Sequence, residues 1–599
     1  MDKSFARSAF AGVVLLSLLL AGCQGGQSAT TDSSGAGTGT GTGTGGTTPP
    51  PPPSSNTGPV AASDAAVLLG KRLFRETRFA NFYMANSNGD VNATLSSGDP
   101  TVNSEMNASG NPATLPDPMA GTSINCEQCH LGAQDQSTPG GGMRAFTDYA
   151  LHSPIPARAN SPTSLTTTPR NSTTMVDSML HGDVDQILHW DGQFGSMQEL
   201  VAGTLTGRNF GWLATEQTEA QHQVAQVIRG DNGSDALATK FSGGTRYSDL
   251  FQCSSKVPAQ YQLPKQDCID VTTASDAEIV NQVGTVMSAY LSSLHFARDG
   301  SGQYTGSPYD QFLIANGLPR SPASGQTPIQ YGAKLLQKLE TLSDPKFINQ
   351  GNFKYHGQRP FVFGANELNG LMEFLRRPAG AVITSSEAAG GTIGNCAACH
   401  APPDFTDFRM HNVGSTQFEY DAVNGAGTFE SMNIPDLTTR NGNPNAYLPV
   451  TPQHPQAQET FRMPANASIP TWVDLGAWNI FANPDFPDRQ ASLEKFICAI
   501  DSGQFADCSE TDAQLLDRSI AVFRTHTLRD LGDSAPYMHS GFFASLDDVA
   551  SFYSQAGAAA RNGTLRNADP QMQNVALDQA DLPDLVALLE SLDEDYVPQ

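Results

Sequence analysis

Two pentapeptides carry the clearest chemistry in this 599-residue chain, Cys126-Glu127-Gln128-Cys129-His130 and Cys396-Ala397-Ala398-Cys399-His400. Two thiols three positions apart on one helical turn can add to the two vinyl groups of one porphyrin, and the adjacent histidine then reaches the iron from the proximal side. A zinc site wants four ligands in a paired cluster, and a thioredoxin-like redox pair wants a different context. Each pentapeptide is therefore read as an attachment site for one covalent haem c, with His130 and His400 as proximal ligands.

The chain has nine cysteines, and those outside the two motifs divide cleanly. Cys253 with Cys268, and Cys498 with Cys508, are local pairs that an oxidising compartment would close as disulfides; the alternative is four buried thiols. Cys23 follows Leu20-Ala21-Gly22 at the end of an apolar stretch that begins at Phe10, after Lys3 and Arg7. That stretch falls short of the roughly 20 residues needed to span a bilayer, so it reads as an export signal. Its end resembles a bacterial lipobox, in which Cys23 is lipidated and becomes the mature N-terminus; an ordinary signal peptide with a chance cysteine is the alternative. Gln24, rather than Asp, resembles the outer-membrane class of such lipoproteins. The expected place is the periplasmic face of the cell envelope, reached through the lipid anchor alone.

The elements that must position these residues follow from composition and periodicity. Residues 1–22 form the signal and 23–60 a Gly/Thr/Pro linker, expected to be a disordered tether because it offers nothing to form a core. Helical spacing places Leu68, Leu69 and Phe74 of the segment 65–78 toward a core, as it does Val280, Val283, Met287, Tyr290, Leu291 and Leu294, and Leu582, Leu585, Val586, Leu589 and Leu592. A Gly-, Ser- and Pro-rich span at 297–326 suggests a boundary between an N-terminal haem domain, 61–310, and a C-terminal one, 311–599. The fold expected is mainly α, two cytochrome c-like haem domains with long loops. A formal charge of −26, with no dense Lys/Arg run, argues against a nucleic-acid partner.

Further residues carry a resemblance. Arg170-Asn171, then His189-Trp190-Asp191-Gly192, is similar to the Arg-Asn and Trp-Asp-Gly signatures of the bacterial dihaem cytochrome c peroxidase and MauG family. Phe523-Arg524-Thr525-His526-Thr527-Leu528-Arg529 and Ala535-Pro536-Tyr537-Met538-His539-Ser540-Gly541 resemble its C-terminal signature, with His526 and Ser540 standing where Pro and Asp are usual. The resemblance runs from about Ala65 onward. It implies that peroxide or oxygen binds at the first haem, that the second stores or relays electrons, and that Trp190 lies between them; on residue type alone Trp190 is also a plausible core aromatic. It also implies a calcium ion held through Asn171, Ser534 and Pro536, where simple loop contacts are the alternative.

Two positions decide what kind of relative this is. Tyr553 stands where classical peroxidases carry a methionine ligand and MauG-like enzymes a tyrosine; an anionic phenolate on the second iron would favour ferric and higher states. Met538 is the rival sixth ligand, and simple core packing the third option. Near the first haem, Phe210 occupies roughly the place of the family's proton-shuttling glutamate, and Glu216 or Glu219 could replace that acid only in a rebuilt loop. His152 is the nearest candidate sixth ligand there, against an open iron. Three readings follow: a peroxidase-type oxidoreductase fed by a small periplasmic donor (cytochrome c, copper protein or quinol route) or by an oxidisable substrate; a dihaem oxygenase cleaving an apolar substrate, similar to rubber oxygenases; or a dihaem electron carrier.

Overall fold

The computed structural model describes residues 65–95, 123–126, 129–130, 155–156, 158–165, 167–181, 184–355, 358–502, 508–594 and 596–598. The export signal, Cys23, the tether and His152 lie outside the described residues. The described chain is mainly helical, with three small antiparallel sheets. Among these residues no helix is long and apolar enough to cross a membrane.

The first helix, Ala65–Phe74, buries Val67, Leu69, Leu73 and Phe74, while Leu68 is only half-buried. It stops at Phe74 instead of running on to Arg78. The residues beyond it enter a buried ionic cluster, where Arg78 pairs with Glu76 at 2.7 Å and Asp231 at 3.1 Å, and Arg72 with Asp231 at 2.8 Å. The Glu76 carboxylate also accepts the Arg78 backbone N–H at 3.1 Å, a local bond that competes with the helical one.

This helix crosses Asp276–Ser292, and the crossing is close because residue 70 is glycine: a Cβ there would lie 2.6 Å from both the Val286 carbonyl and the Tyr290 Cβ. The same device recurs in the second half. Ala365–Leu375 crosses Leu582–Glu590 at Gly370, whose added Cβ would strike the Asp584 carbonyl. One helix of each pair precedes a Cys-x-x-Cys-His motif in sequence and the other follows it. Each pair belongs to its own apolar core.

Residues 410–523 build a third core around Trp478, Phe481, Leu493 and Val522, on which Ile187 and Trp190 of the first half also pack. Strand Met410–His411 pairs with Phe523–Arg524, and Thr392–Ile393, just before Cys396, pairs with Ala576–Leu577. The third sheet sets Ile348–Tyr355 between Arg359–Phe363 and Tyr596–Pro598. Disulfides join Cys253 to Cys268 and Cys498 to Cys508, with Cα separations of 5.7 and 5.9 Å.

The Gly/Ser/Pro-rich span at 297–326 holds a helix, Pro308–Ala315, started by Ser307, whose side chain accepts the Asp310 N–H. Its signal was present as Ser-Pro-x-Asp, a capping residue followed by a proline suited to the first turn.

Candidate functional site

The two motifs adopt the same turn. His130 N–H donates to the Cys126 carbonyl at 2.9 Å and His400 N–H to the Cys396 carbonyl at 2.7 Å, with Cys129 and Cys399 N–H each 3.2 Å from the same acceptors. This turn sets both thiols and the imidazole of a motif on one short arc. None of these four cysteines is in a disulfide, and burial pushes Cys396 up to about 12, so its sulfur is protonated. Burial lowers both imidazoles, His130 to about 4, which keeps a nitrogen lone pair available for a metal. The Nδ1 of His400 lies 3.0 Å from the Phe405 carbonyl, an arrangement that makes Nδ1 the donor and leaves Nε2 for iron. His130 Nδ1 is buried with no such partner among the described residues.

Around the second motif, His411 is held between Asp407 at 2.8 Å and Asp569 at 2.6 Å, beside Cys399. Tyr553, on helix Leu546–Arg561, packs with Met538, Val413 and Phe418 against the Phe543–Phe552 cluster. Burial, reinforced by Cys396 and Cys399, raises its phenol above the ordinary range. The structure therefore brings Tyr553 and its rival Met538 into one apolar cluster. Met538 is held at φ +68°, in the left-handed region.

Trp190 occupies the junction of the two halves. Its indole N–H donates to the Asn171 carbonyl at 2.9 Å, its own carbonyl accepts Arg524 N–H at 2.8 Å, and its ring lies 4.3 Å from the His526 ring. The segment is clamped by buried ion pairs: Arg170 reaches Asp191 at 2.6 Å and Asp474 at 2.5 Å, and Arg462 reaches Asp191 at 3.0 Å. Asn171 N–H donates to the His539 carbonyl at 2.7 Å, and its side-chain amide lies 2.6 Å from the Pro536 carbonyl, while Asn171 Oδ1 is buried and unpartnered. The Ser534 hydroxyl lies 3.4 Å from the Asp530 carbonyl.

Phe210 sits in a single 3-10 turn and is buried in the first core with Trp212. Neither nearby acid replaces it. Glu216 is bound to Arg158 at 2.5 Å and to the Leu213 N–H at 2.9 Å, and Glu219 is exposed. Arg208, two residues before Phe210, instead pairs at 2.5 Å with Glu459, a buried carboxylate from the third core's segment.

Sequence reasoning missed one compensation. Where the family signature has Asp, this chain has Ser540, and the carboxyl group beside His539 comes from Glu419 on helix Ser415–Asn424, 3.8 Å away. Burial raises Glu419 to about 7. No local pattern links residues 419 and 539.

The chemistry of the residues present suits a porphyrin. Two neutral imidazoles each stand on the same turn as two cysteines outside any disulfide, and the junction holds buried polar atoms with no side-chain partner among the described residues: both ring nitrogens of His526, Arg524 Nε and Asn171 Oδ1.

No family profile matches the chain. It is 36% identical over 75 residues to the cytochrome-c peroxidase IdrP1 of Denitromonas iodatirespirans, a match covering 12% of this chain and 19% of that protein. To IdrP2 of the same organism, also a cytochrome-c peroxidase, it is 25% identical over 221 residues, 36% of this chain and 41% of that one. This chain thus spans less than half the length of the curated relatives it matches. Solved structures that align with it include a MauG-like protein associated with microbial copper homeostasis, at 15% identity and a TM-score of 0.39, covering 89% of this chain and 90% of that one. The diheme peroxidase BthA from Burkholderia thailandensis aligns at 14% identity and a TM-score of 0.35, over 88% of this chain and 86% of that one. In sequence, then, what this chain resembles in each of these curated matches is a cytochrome-c peroxidase.

Proposed function

We propose that this protein is a dihaem c-type oxidoreductase of the cytochrome-c peroxidase and MauG type, which reduces hydrogen peroxide or uses it to oxidise a partner. The observation that carries this reading is the repeated construction: two identical Cys-x-x-Cys-His turns, each with its own glycine-crossed helix pair, and a tryptophan clamped at the junction. Bound haem would supply the redox chemistry. The chain's own part is to present His130 and His400 as neutral ligands, to exclude water from the junction, and to fix the Trp190 indole as the most easily oxidised side chain there.

Mass spectrometry of the denatured mature protein should show the mass of two haems; one or none in a correctly matured sample would overturn the reading. Trp190→Phe should leave both haems bound while slowing peroxide turnover at least tenfold, because phenylalanine keeps most of the bulk and loses the oxidisable indole.

A second reading, an oxygenase acting on an apolar substrate, is favoured by Phe210 and by the engagement or exposure of Glu216 and Glu219. Oxygen uptake dependent on an apolar substrate, with no peroxide turnover, would select it. A ferric EPR spectrum without a five-coordinate high-spin species would instead select the electron carrier.

The same proposal places the protein at the periplasmic face of the envelope, anchored through a lipid on Cys23 and supplied by a small periplasmic electron donor. It includes a calcium ion held through Asn171, Ser534 and Pro536, supported by the buried Asn171 Oδ1, which has no hydrogen-bond partner among the described residues. Chelation should then slow turnover and added calcium restore it.

A further inference from the structure

His526 stands where the family signature has proline, and the structure gives it a place rather than a substitute's vacancy. Its ring lies 4.3 Å from that of Trp190 at a 54° tilt, and its backbone reaches the His400 ring. Both ring nitrogens are buried and, among the described residues, neither has a side-chain hydrogen-bond partner, while the Arg524 backbone lies beside the ring. An imidazole carries at least one N–H donor in either protonation state.

The groups around it are already committed. The Trp190 indole N–H belongs to Asn171. His526 lines a cavity of about 30 Å³ with Asp177, Tyr304, Asp404 and Arg524. Asp177 is bound by His295, Arg298 and Tyr304, and Asp404 accepts the Tyr304 hydroxyl at 2.7 Å. Arg524 has no carboxylate partner among the described residues, and burial lowers it to about 10. A guanidinium with a buried, unpartnered Nε and a buried imidazole N–H on one cavity, with Asp177 and Asp404 already engaged, leave room for an acceptor from outside the described residues. A porphyrin attached at Cys396 and Cys399 brings carboxylates of that kind.

We infer that His526 is a positioning residue for transfer between the haems: its ring holds the Trp190 indole through a tilted ring contact, and its N–H would donate to a carboxylate of the second haem when that haem is bound at Cys396 and Cys399. The inference rests on the relay reading of Trp190. A donor on that carboxylate withdraws negative charge from the porphyrin's surroundings, so its loss should stabilise ferric iron and move the second haem's potential down.

Two variants of the full-length dihaem protein separate the two roles. His526→Phe keeps an aromatic ring and removes the donor; His526→Gln keeps a donor and removes the ring. Spectropotentiometry should show a lower midpoint potential for the second haem in the Phe variant and a wild-type value in the Gln variant. Flash-initiated transfer between the haems should slow at least fivefold in the Gln variant, where the indole loses its ring contact. An unchanged potential in the Phe variant, or unchanged transfer in the Gln variant, overturns the inference. Trp190→Phe is the control: if that variant transfers at the wild-type rate, the relay reading has failed, whereas slowed transfer there with both His526 variants unaffected condemns His526 alone. If the Phe variant fails to bind two haems, the Gln variant's transfer rate still decides.

Discussion

Tyr553 and Met538 pack in one apolar cluster, and on the proposed reading either would supply the sixth ligand of the second haem. The difference is electrostatic, since a phenolate brings a negative charge to the iron and a thioether does not. If the phenolate is the ligand, Tyr553→Phe should abolish the ferric phenolate charge-transfer band, and Tyr553→Met should raise the potential of that haem. A wild-type spectrum in the Phe variant, with sulfur identified on the iron, would hand the position to Met538. Glu419 yields a prediction of another kind. Burial, with Asp474 adding to it, raises its carboxyl from 4.5 to about 7, against the opposing pull of the Ser540 hydroxyl and the Ala465 N–H. The folded chain therefore holds a proton that the unfolded chain releases, so stability should fall as pH rises between about 4.5 and 7 and level off above. The loss is on the order of 3 kcal/mol. Denaturant titrations of Glu419→Gln should lack that decline; an equal slope in both proteins would remove Glu419 from the account. The haem motifs were legible in the sequence because their chemistry is local. His526 and Glu419 gain their meaning from residues more than a hundred positions away, and one sequence carries no mark of such partners.

At the scale of elements, the glycine crossings bear the most weight. Gly70→Ala would push a methyl group into the Val286 carbonyl and Tyr290. Helix propensity favours alanine, but overpacking costs about 1–3 kcal/mol and should win. Thermal unfolding followed at the haem band should show a lower midpoint; a higher one would mean that the crossing has room. Breaking the Cys253–Cys268 link, which closes a 15-residue span, should cost about 3 kcal/mol on the chain-entropy account. Comparing the denaturation midpoint of a Cys253→Ser/Cys268→Ser protein with that of the wild type checks it. Periodicity found the helices around 65, 280 and 582 because each buries one continuous stripe. It ran the first of them too far, since nothing in a hydrophobic pattern shows Glu76 and Arg78 turning inward to Asp231. The Pro308–Ala315 helix was hidden for the opposite reason: its Gly- and Pro-rich flanks dominated the composition, although the capping residues were there.

The whole molecule is held together at Arg170, which bridges acids from both halves with almost no solvent contact. Arg170→Met would leave Asp191 and Asp474 buried with fewer cations, at a cost of about 3–5 kcal/mol. The variant should still bind both haems, because neither motif touches this clamp, and its unfolding midpoint in urea should fall well below the wild type's. The third core, contributed by 410–523, could not be anticipated from the sequence as a separate body, because its apolar residues come from loops and short helices without a sustained period. The collar it forms around Trp190 joins residues 304 apart at Arg170–Asp474 and 365 apart at Asn171–Pro536. Loop closure over such distances is slow, whereas the turns that receive the haems form within five residues. On the proposed reading, pigment and conduction therefore arise at different moments in the life of the chain: a nascent molecule that has passed His400 but ends before Asp474 already holds both attachment turns, yet it lacks the acid that fixes a route for charge between its halves.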